Sequence, residues 1–352
     1  MKNIEIYGAG LSGLTAAINL ARDGYKVTVF EKEKTLGGAK TYTPSVHATP
    51  IHFEKMKNYI GIDVEPFFSK LDIFKANIYN KNVTFKPDHI YVTERGSSKD
   101  ALDYNLYKIA EEEGVNFEFS HPLTTDNIHE LKEGSIIAIG QNTPISKNLK
   151  IRHIPLKHYH AVKKTNNKKN ICVAFFSQKN SGYFYIASKN GLISASIGFR
   201  QSSKAKYLRD VIEKIKQTEG FEFDKWTLTP YAIFAEKIQL FKKIANKKII
   251  LAGYISGFFD PFFNFGVNSA LVSGKIAAIT VRSEKQGQQE FNSFTKNLRY
   301  TFLIDKLYTM LQLKNIFIPW IVKKSNIPVI TNSINSIPGF THDKCLEIVK
   351  VE

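Results

Sequence analysis

Gly8, Gly10 and Gly13 stand near the start of the chain at the spacing GxGxxG, and Glu31 follows eighteen residues after the last of them. That pattern does phosphate and ribose chemistry. Gly8 permits a tight turn, Gly10 lets backbone approach a pyrophosphate, and Gly13 lets a helix pack closely on a strand. Leu11 and Ser12 then open a helix whose positive end faces the phosphates. An acid at Glu31, with Lys32 beside it, accepts hydrogen bonds from an adenosine ribose and repels a 2′-phosphate, which leaves NAD or FAD as the dinucleotide.

The elements that must hold this geometry surround it. Ile4 and Ile6 mark a short buried strand, and Leu14, Ala17, Ile18 and Ala21 recur with a helical period. Residues 27–30 form a second strand ending at Glu31. Further along, residues 249–279 read IILAGYISGFFDPFFNFGVNSALVSGKIAAI. A hydrophobic strand there runs into Gly253 and Tyr254, and a loop carries Asp260 and Pro261. Gly266, Val267 and Asn268 open a helix with Ala270, Leu271, Gly274 and Ala277 on its close-packed side. A third candidate, Arg95, ends a strand and precedes a helix that carries Ala101, Leu102, Leu106, Ile109 and Ala110 and stops at Gly114.

These residues carry a resemblance. An acid followed by the paired glycines Gly37 and Gly38, with Ala39 next, resembles the FAD-binding oxidoreductases of the glutathione-reductase and p-hydroxybenzoate-hydroxylase class, which implies FAD. The stretch from Tyr91 to Phe119 is similar to the part of p-hydroxybenzoate-hydroxylase-like proteins in which an arginine touches FAD; by that match the arginine is Arg95. Residues 249–279 resemble the flavin-contacting motif of the geranylgeranyl reductases and related hydroxylases. There the helix N-terminus faces the flavin O2 region, and an acid after the strand glycine holds the ribityl chain. Tyr254 occupies that acid's position here. The run GYFYIAS, with Gly198 after it, is similar to a geranylgeranyl reductase pattern, with Tyr185 in place of its tryptophan and Ala187-Ser188 in place of its Phe-Pro pair.

The resemblance implies a Rossmann-type FAD-binding α/β domain interleaved with a mostly antiparallel sheet domain and followed by C-terminal helices. The expected FAD-binding segments are 1–40, 88–145 and 245–285, the substrate segments 41–87 and 146–244, and the helical region 286–352. The activity it implies first is hydride transfer from flavin N5 to a carbon–carbon double bond of an isoprenoid or lipid-like substrate. One alternative is a flavin monooxygenase or halogenase acting on an aromatic compound. Against it, Gly140 is followed by Gln141 where flavin hydroxylases ordinarily carry an Asp-Gly pair linked to NADPH use. Another alternative is a non-catalytic FAD- or lipid-binding relic. The catalytic acid and the electron donor are left unassigned.

Composition sets the remaining expectations. The chain has 352 residues and a formal charge of +17, from 49 Lys and Arg against 32 Asp and Glu, which favours anionic partners such as a membrane surface. No specific nucleic acid is expected. Cys172 and Cys345 lie far apart in unlike contexts, suggesting neither a disulfide framework nor a metal site. No apolar run reaches the roughly 20 residues of a spanning helix. A cytoplasmic location with peripheral membrane contact is the expectation. His153, His158 and His160 lie among lysines within 147–169 and are predicted to sit in a solvated loop or an anion-facing patch.

Overall fold

The computed structural model describes residues 2–37, 42–78, 81–140, 143–151, 153–176, 183–200, 205–235, 237–259, 266–310 and 346–351. Gly38, Ala39, Asp260 and Pro261 of the candidate set lie outside them.

The first sheet has the strand order β15 (Phe241–Ile244), β16 (Lys247–Leu251), β9 (Ile136–Ile137), β1 (Asn3–Tyr7), β2 (Lys26–Phe30), β8 (Asn116–Glu118). It is parallel from β16 to β8, with β15 antiparallel at its edge. Both faces are covered, and the central strands bury Ile4, Ile6, Val27, Val29, Ile136 and Ile137 between them. On one face pack the helices α1 (Leu11–Arg22), α3 (Leu102–Glu112) and α6 (Val267–Arg282), with α2 (Phe53–Ile60) and α7 (Glu284–Met310) beside them. On the other face Ile137, Ile249 and Leu251 meet Leu123, Ile128 and Leu131, together with Ile145 of α4 (Thr143–Asn148).

Close approach of α6 to α1 requires Gly274. A Cβ there would lie 2.3 Å from the Ser12 carbonyl oxygen and 2.8 Å from Thr15 Cβ. The expected close-packed side of this helix is therefore the observed one.

A second sheet of eight strands has the order β14 (Thr227–Ala235), β10 (His153–Lys164), β13 (Leu192–Arg200), β12 (Tyr183–Lys189), β11 (Ile171–Phe176), β5 (Ile73–Ile78), β6 (Lys81–Pro87), β17 (Leu346–Val351). Its pairs are antiparallel except for β5 with β11. The β12–β13 hairpin turns through Asn190 and Gly191, both at positive φ, as the Asn-Gly signal predicts. Alternation along the strands splits this sheet into unlike faces. Phe184, Ile186, Ala195 and Ile197 pack under Val211 and Ile215 of α5 (Ala205–Glu219). Ala187 and Cys172 pack with Val46, Ala48 and Val92 of a three-stranded sheet, β3 (Ser45–Pro50), β7 (Ile90–Arg95) and β4 (Phe68–Lys70). This small sheet is the layer between the eight-stranded sheet and helix α6.

The region 286–352, expected to be helical, ends otherwise. Leu346–Val351 pairs with β6 as an antiparallel strand. Its sequence, LEIVKV, is rich in β-branched residues and short, and an available strand edge at Val83–Pro87 decides its conformation.

Candidate functional site

The glycine motif turns as its spacing requires. Gly8 has φ +108, and a Cβ on it would lie 2.5 Å from the Ala138 carbonyl oxygen; a Cβ on Gly13 would lie 1.9 Å from the Gly8 carbonyl oxygen. Gly10 differs from both, because a Cβ on it would meet nothing within 4 Å. Two of the glycines thus serve packing, and Gly10 borders open space. It caps α1 without any side-chain hydrogen bond, and the first turn holds no acid. The amides that open α1, those of Leu11, Ser12 and Gly13, therefore lack both an intrahelical acceptor and a capping side chain, the condition for binding phosphate.

Glu31 is 8% exposed and folds back onto this turn. Its Oε2 accepts the Ala9 amide at 2.7 Å and its Oε1 the Glu33 amide at 3.0 Å. A carboxylate has about four acceptor positions, so two remain for ribose hydroxyls. Lys32 is exposed and pairs with Glu33 at 3.6 Å.

The second motif joins the first. Gly253 lies at φ +70, a Cβ on it would lie 2.4 Å from Ser12 Oγ, and its amide donates to Ser273 Oγ at 2.8 Å. Tyr254 follows on a short 3-10 turn, half-buried, its ring 5.0 Å from that of Phe259. Gly266 caps α6, so Val267 and Asn268 form its first turn as expected. Asn268 is 4% exposed and its Nδ2 donates to the Pro50 carbonyl at 2.7 Å. That bond fixes the amide's orientation and leaves Oδ1, a buried acceptor, with no donor among the described residues. A buried acceptor with no partner is costly. A ligand N–H at the start of α6 would satisfy it.

Pro50 ends β3, and the other end of that strand reaches a polar cluster absent from the sequence-based candidates. At about 3.3 Å per residue, His47 lies roughly 10 Å from Pro50 along the strand. On β10 and β13, His160 pairs with Ser196, and Ser196 pairs across to Tyr185 on β12, so the three share one face. Tyr42 sits over them, its ring 5.2 Å from His160, 5.3 Å from His158 and 5.6 Å from His47. His47 Nε2 is 3.0 Å from Ser45 Oγ, and His160 Nε2 is 3.0 Å from the Pro44 carbonyl oxygen. Burial pushes His158 down to about 3 and holds His160 below its ordinary value. Desolvation, with Arg95 and the other two histidines nearby, holds His47 well below its own. All three imidazoles are neutral at physiological pH.

The expectation of a solvated histidine loop is therefore corrected. His158 and His160 are strand residues, 3% and 4% exposed. Lys157 and Lys163 alternate to the other face and Lys164 stands exposed at the strand's end, and the two-residue period of His-Tyr-His was the available signal.

Arg95 borders the same cluster. Its Nε and Nη2 bind Asp103 Oδ2 and Oδ1 at 2.6 and 2.8 Å, and Asp103 is fully buried. The pair is charge-compensated, so the site is hydrogen-bonding rather than strongly cationic. Among the described residues no group of His, Cys, Asp or Glu could hold a metal.

The family described as NAD(P)-binding Rossmann-like domain matches residues 6–56. Two Arabidopsis thaliana proteins, flavin-containing monooxygenases FMO GS-OX-like 5 and GS-OX-like 3, are each 38% identical over 62 residues, 18% of this chain and 14% of the relative. These matches cover only a small part of the relatives' length. Over most of the chain the likeness is one of fold. The structure of CtdE in complex with FAD superposes with a TM-score of 0.60 at 13% identity, covering 88% of this chain and 94% of that one. The tetrameric form of 2-methyl-3-hydroxypyridine-5-carboxylic acid oxygenase gives 0.60 at 14%, covering 85% and 87%. The class these features define is a Rossmann-type dinucleotide-binding domain interleaved with a large antiparallel sheet, the fold of the FAD-dependent oxygenases.

Proposed function

We propose that the chain is an FAD-dependent oxidoreductase of the monooxygenase type, acting on a polar substrate that the histidine and tyrosine cluster hydrogen-bonds. Bound FAD would supply the redox chemistry. Glu31 and the start of α1 would hold its adenosine diphosphate half, and Asn268 at the start of α6 would meet the ring end. The observation that carries the substrate side is the polar face itself. His47, His158, His160, Tyr42 and Tyr185 form a wall about one strand's length from the start of α6, and Arg95 stands beside it. Neutral imidazoles and phenols can each donate and accept, which suits a hydroxyl- or carboxyl-bearing aromatic and not a hydrocarbon chain.

Reduction of an isoprenoid double bond is the second reading, kept because Gly140 is followed by Gln141 and not by the Asp-Gly pair linked to NADPH use. One set of measurements separates the two. The flavin content of the purified protein is read from its visible spectrum, and then oxygen consumption with NADH or NADPH is followed across a panel of hydroxylated aromatic acids. Stimulated oxygen uptake, with labelled oxygen entering the product, supports the first reading. Anaerobic reoxidation of the dithionite-reduced protein by an isoprenoid lipid, with no aromatic effect, would replace it with the second. A colourless protein that cannot be reconstituted with FAD overturns both.

A further inference from the structure

The turn between β7 and α3 and the β12–β13 hairpin face each other across a cleft of about 530 Å³, closed on a third side by residues 35–37 and 43–44. Gly8, Gly10, Gly13 and Glu31 do not line it, whereas Gly37 of the paired glycines does. Lys189 forms part of its wall, only 6% exposed. Its ammonium donates to the Phe67 carbonyl at 3.0 Å and the Asp100 carbonyl at 3.2 Å. An ammonium carries three donors, so these bonds leave one N–H over. Among the described ion pairs Lys189 has none. A buried cation whose hydrogen bonds go only to neutral carbonyls is costly, and an anion in contact offsets that cost.

The rest of the lining has the same sense. Lys164 and Lys168 stand exposed at the mouth, Lys168 donating to the Asn190 carbonyl at 3.4 Å. Two acids also line the cleft. Glu94 accepts the Ser98 hydroxyl at 2.5 Å, and Asp100 is exposed. Three ammonium groups therefore face two carboxylates. Burial lowers the Lys189 pKa, and Glu94 and Asp100 act to raise it.

We propose that this cleft binds the oxyanion of a small molecule, a phosphate or a carboxylate group, seated between Lys164, Lys168 and the remaining N–H of Lys189. Glu94 then accepts from a hydroxyl on the same ligand. The cleft meets the polar cluster at Pro44, which lines it and whose carbonyl oxygen is the partner of His160. The ligand thus rests one residue from the imidazoles without entering the dinucleotide cradle. The proposal does not depend on the flavin reading.

The test uses inorganic phosphate and malonate, each titrated into the purified protein with chloride at matched ionic strength. Thermal stability is read together with amine acylation mapped by mass spectrometry. The expected result is saturable stabilisation beyond chloride, with Lys164 and Lys168 protected from acylation while Lys108 stays reactive. K164A/K168A should raise the half-saturating concentration by roughly tenfold or more, because charge-assisted hydrogen bonds are lost. Both substituted residues are exposed, so the variant keeps the fold. Saturation by phosphate alone identifies a phosphorylated ligand, by malonate alone a carboxylated one, and by both the shared oxyanion. No saturation beyond chloride, or an unchanged midpoint in K164A/K168A, overturns the site. The visible spectrum of the same samples separates loss of a bound flavin from occupancy of the cleft.

Discussion

Arg95 and Asp103 form a two-point ion pair, at 2.6 and 2.8 Å, that links the end of β7 to the first turn of α3. Asp103 also accepts the Gly96 amide at 3.2 Å. Arg95 therefore reaches the polar cluster as a positioned group and not as a free surface charge.

Asp103→Ala should consequently do more than remove a carboxylate. It leaves Arg95 without its partner, and breaking a buried pair from one side costs about 3–5 kcal/mol. Urea denaturation should show a loss of that order, and flavin content should fall with it. A loss under about 1 kcal/mol, the range of exposed pairs, would mean that Arg95 finds another partner or solvent.

Gly10 and Gly13 should separate folding from cofactor binding. Gly13→Ala forces a methyl onto the Gly8 carbonyl oxygen, 1.9 Å from the ideal Cβ position, and overpacking of this kind costs about 1–3 kcal/mol or more. Gly10→Ala meets no protein atom, and its φ of −83 suits alanine. Its stability should stay within about 0.5 kcal/mol of the wild type, while FAD affinity falls roughly tenfold or more as the methyl takes up phosphate space. Thermal melts and fluorescence titration of the apoprotein with FAD decide it. Equal FAD affinity in Gly10→Ala would place the pyrophosphate elsewhere.

Glu31→Ala should cost both stability and binding. The Ala9 amide loses its acceptor inside the turn, and an unsatisfied buried donor costs about 1–3 kcal/mol. Ribose contacts disappear with the same substitution. A melt shifted downward with FAD affinity unchanged would leave Glu31 a structural residue only.

The parts of this site that were legible in the sequence are those made by residues close together in the chain. Strand, glycine turn, helix and acid all fall within the first 31 residues, so their spacing alone encodes the cradle. Gly274 was legible as a packing residue because it shares a helical face with small neighbours. The polar cluster was not, because it is assembled across strands: His160 meets Tyr185 through Ser196, and His47 arrives from a different sheet. No local pattern records such a row, and the lysines flanking His158 gave that segment the composition of a solvated loop. Asp103 was hidden for a related reason. It reads as an ordinary acid in a helix's first turn until β7 places Arg95 against it. At the C-terminal end, the partner strand decided the conformation of Leu346–Val351.

The neutral imidazoles predict how the protein responds to acid. Burial holds His158 down to about 3 in the folded protein, whereas an unfolded chain protonates histidine near 6.5. Between those values the unfolded state binds a proton that the folded state refuses, so stability falls as the pH drops below about 6.5. Each such group contributes a slope of about 1.4 kcal/mol per pH unit. His47 and His160, lowered in the same direction, steepen it. His158→Gln removes one titrating group while keeping a side chain that can hydrogen-bond. Urea midpoints measured from pH 7.5 to pH 5 should therefore fall less steeply for His158→Gln than for the wild type, by about one proton's worth of slope. Parallel curves for the two proteins would show that His158 takes up its proton in the folded state, and that the polar wall is open to water.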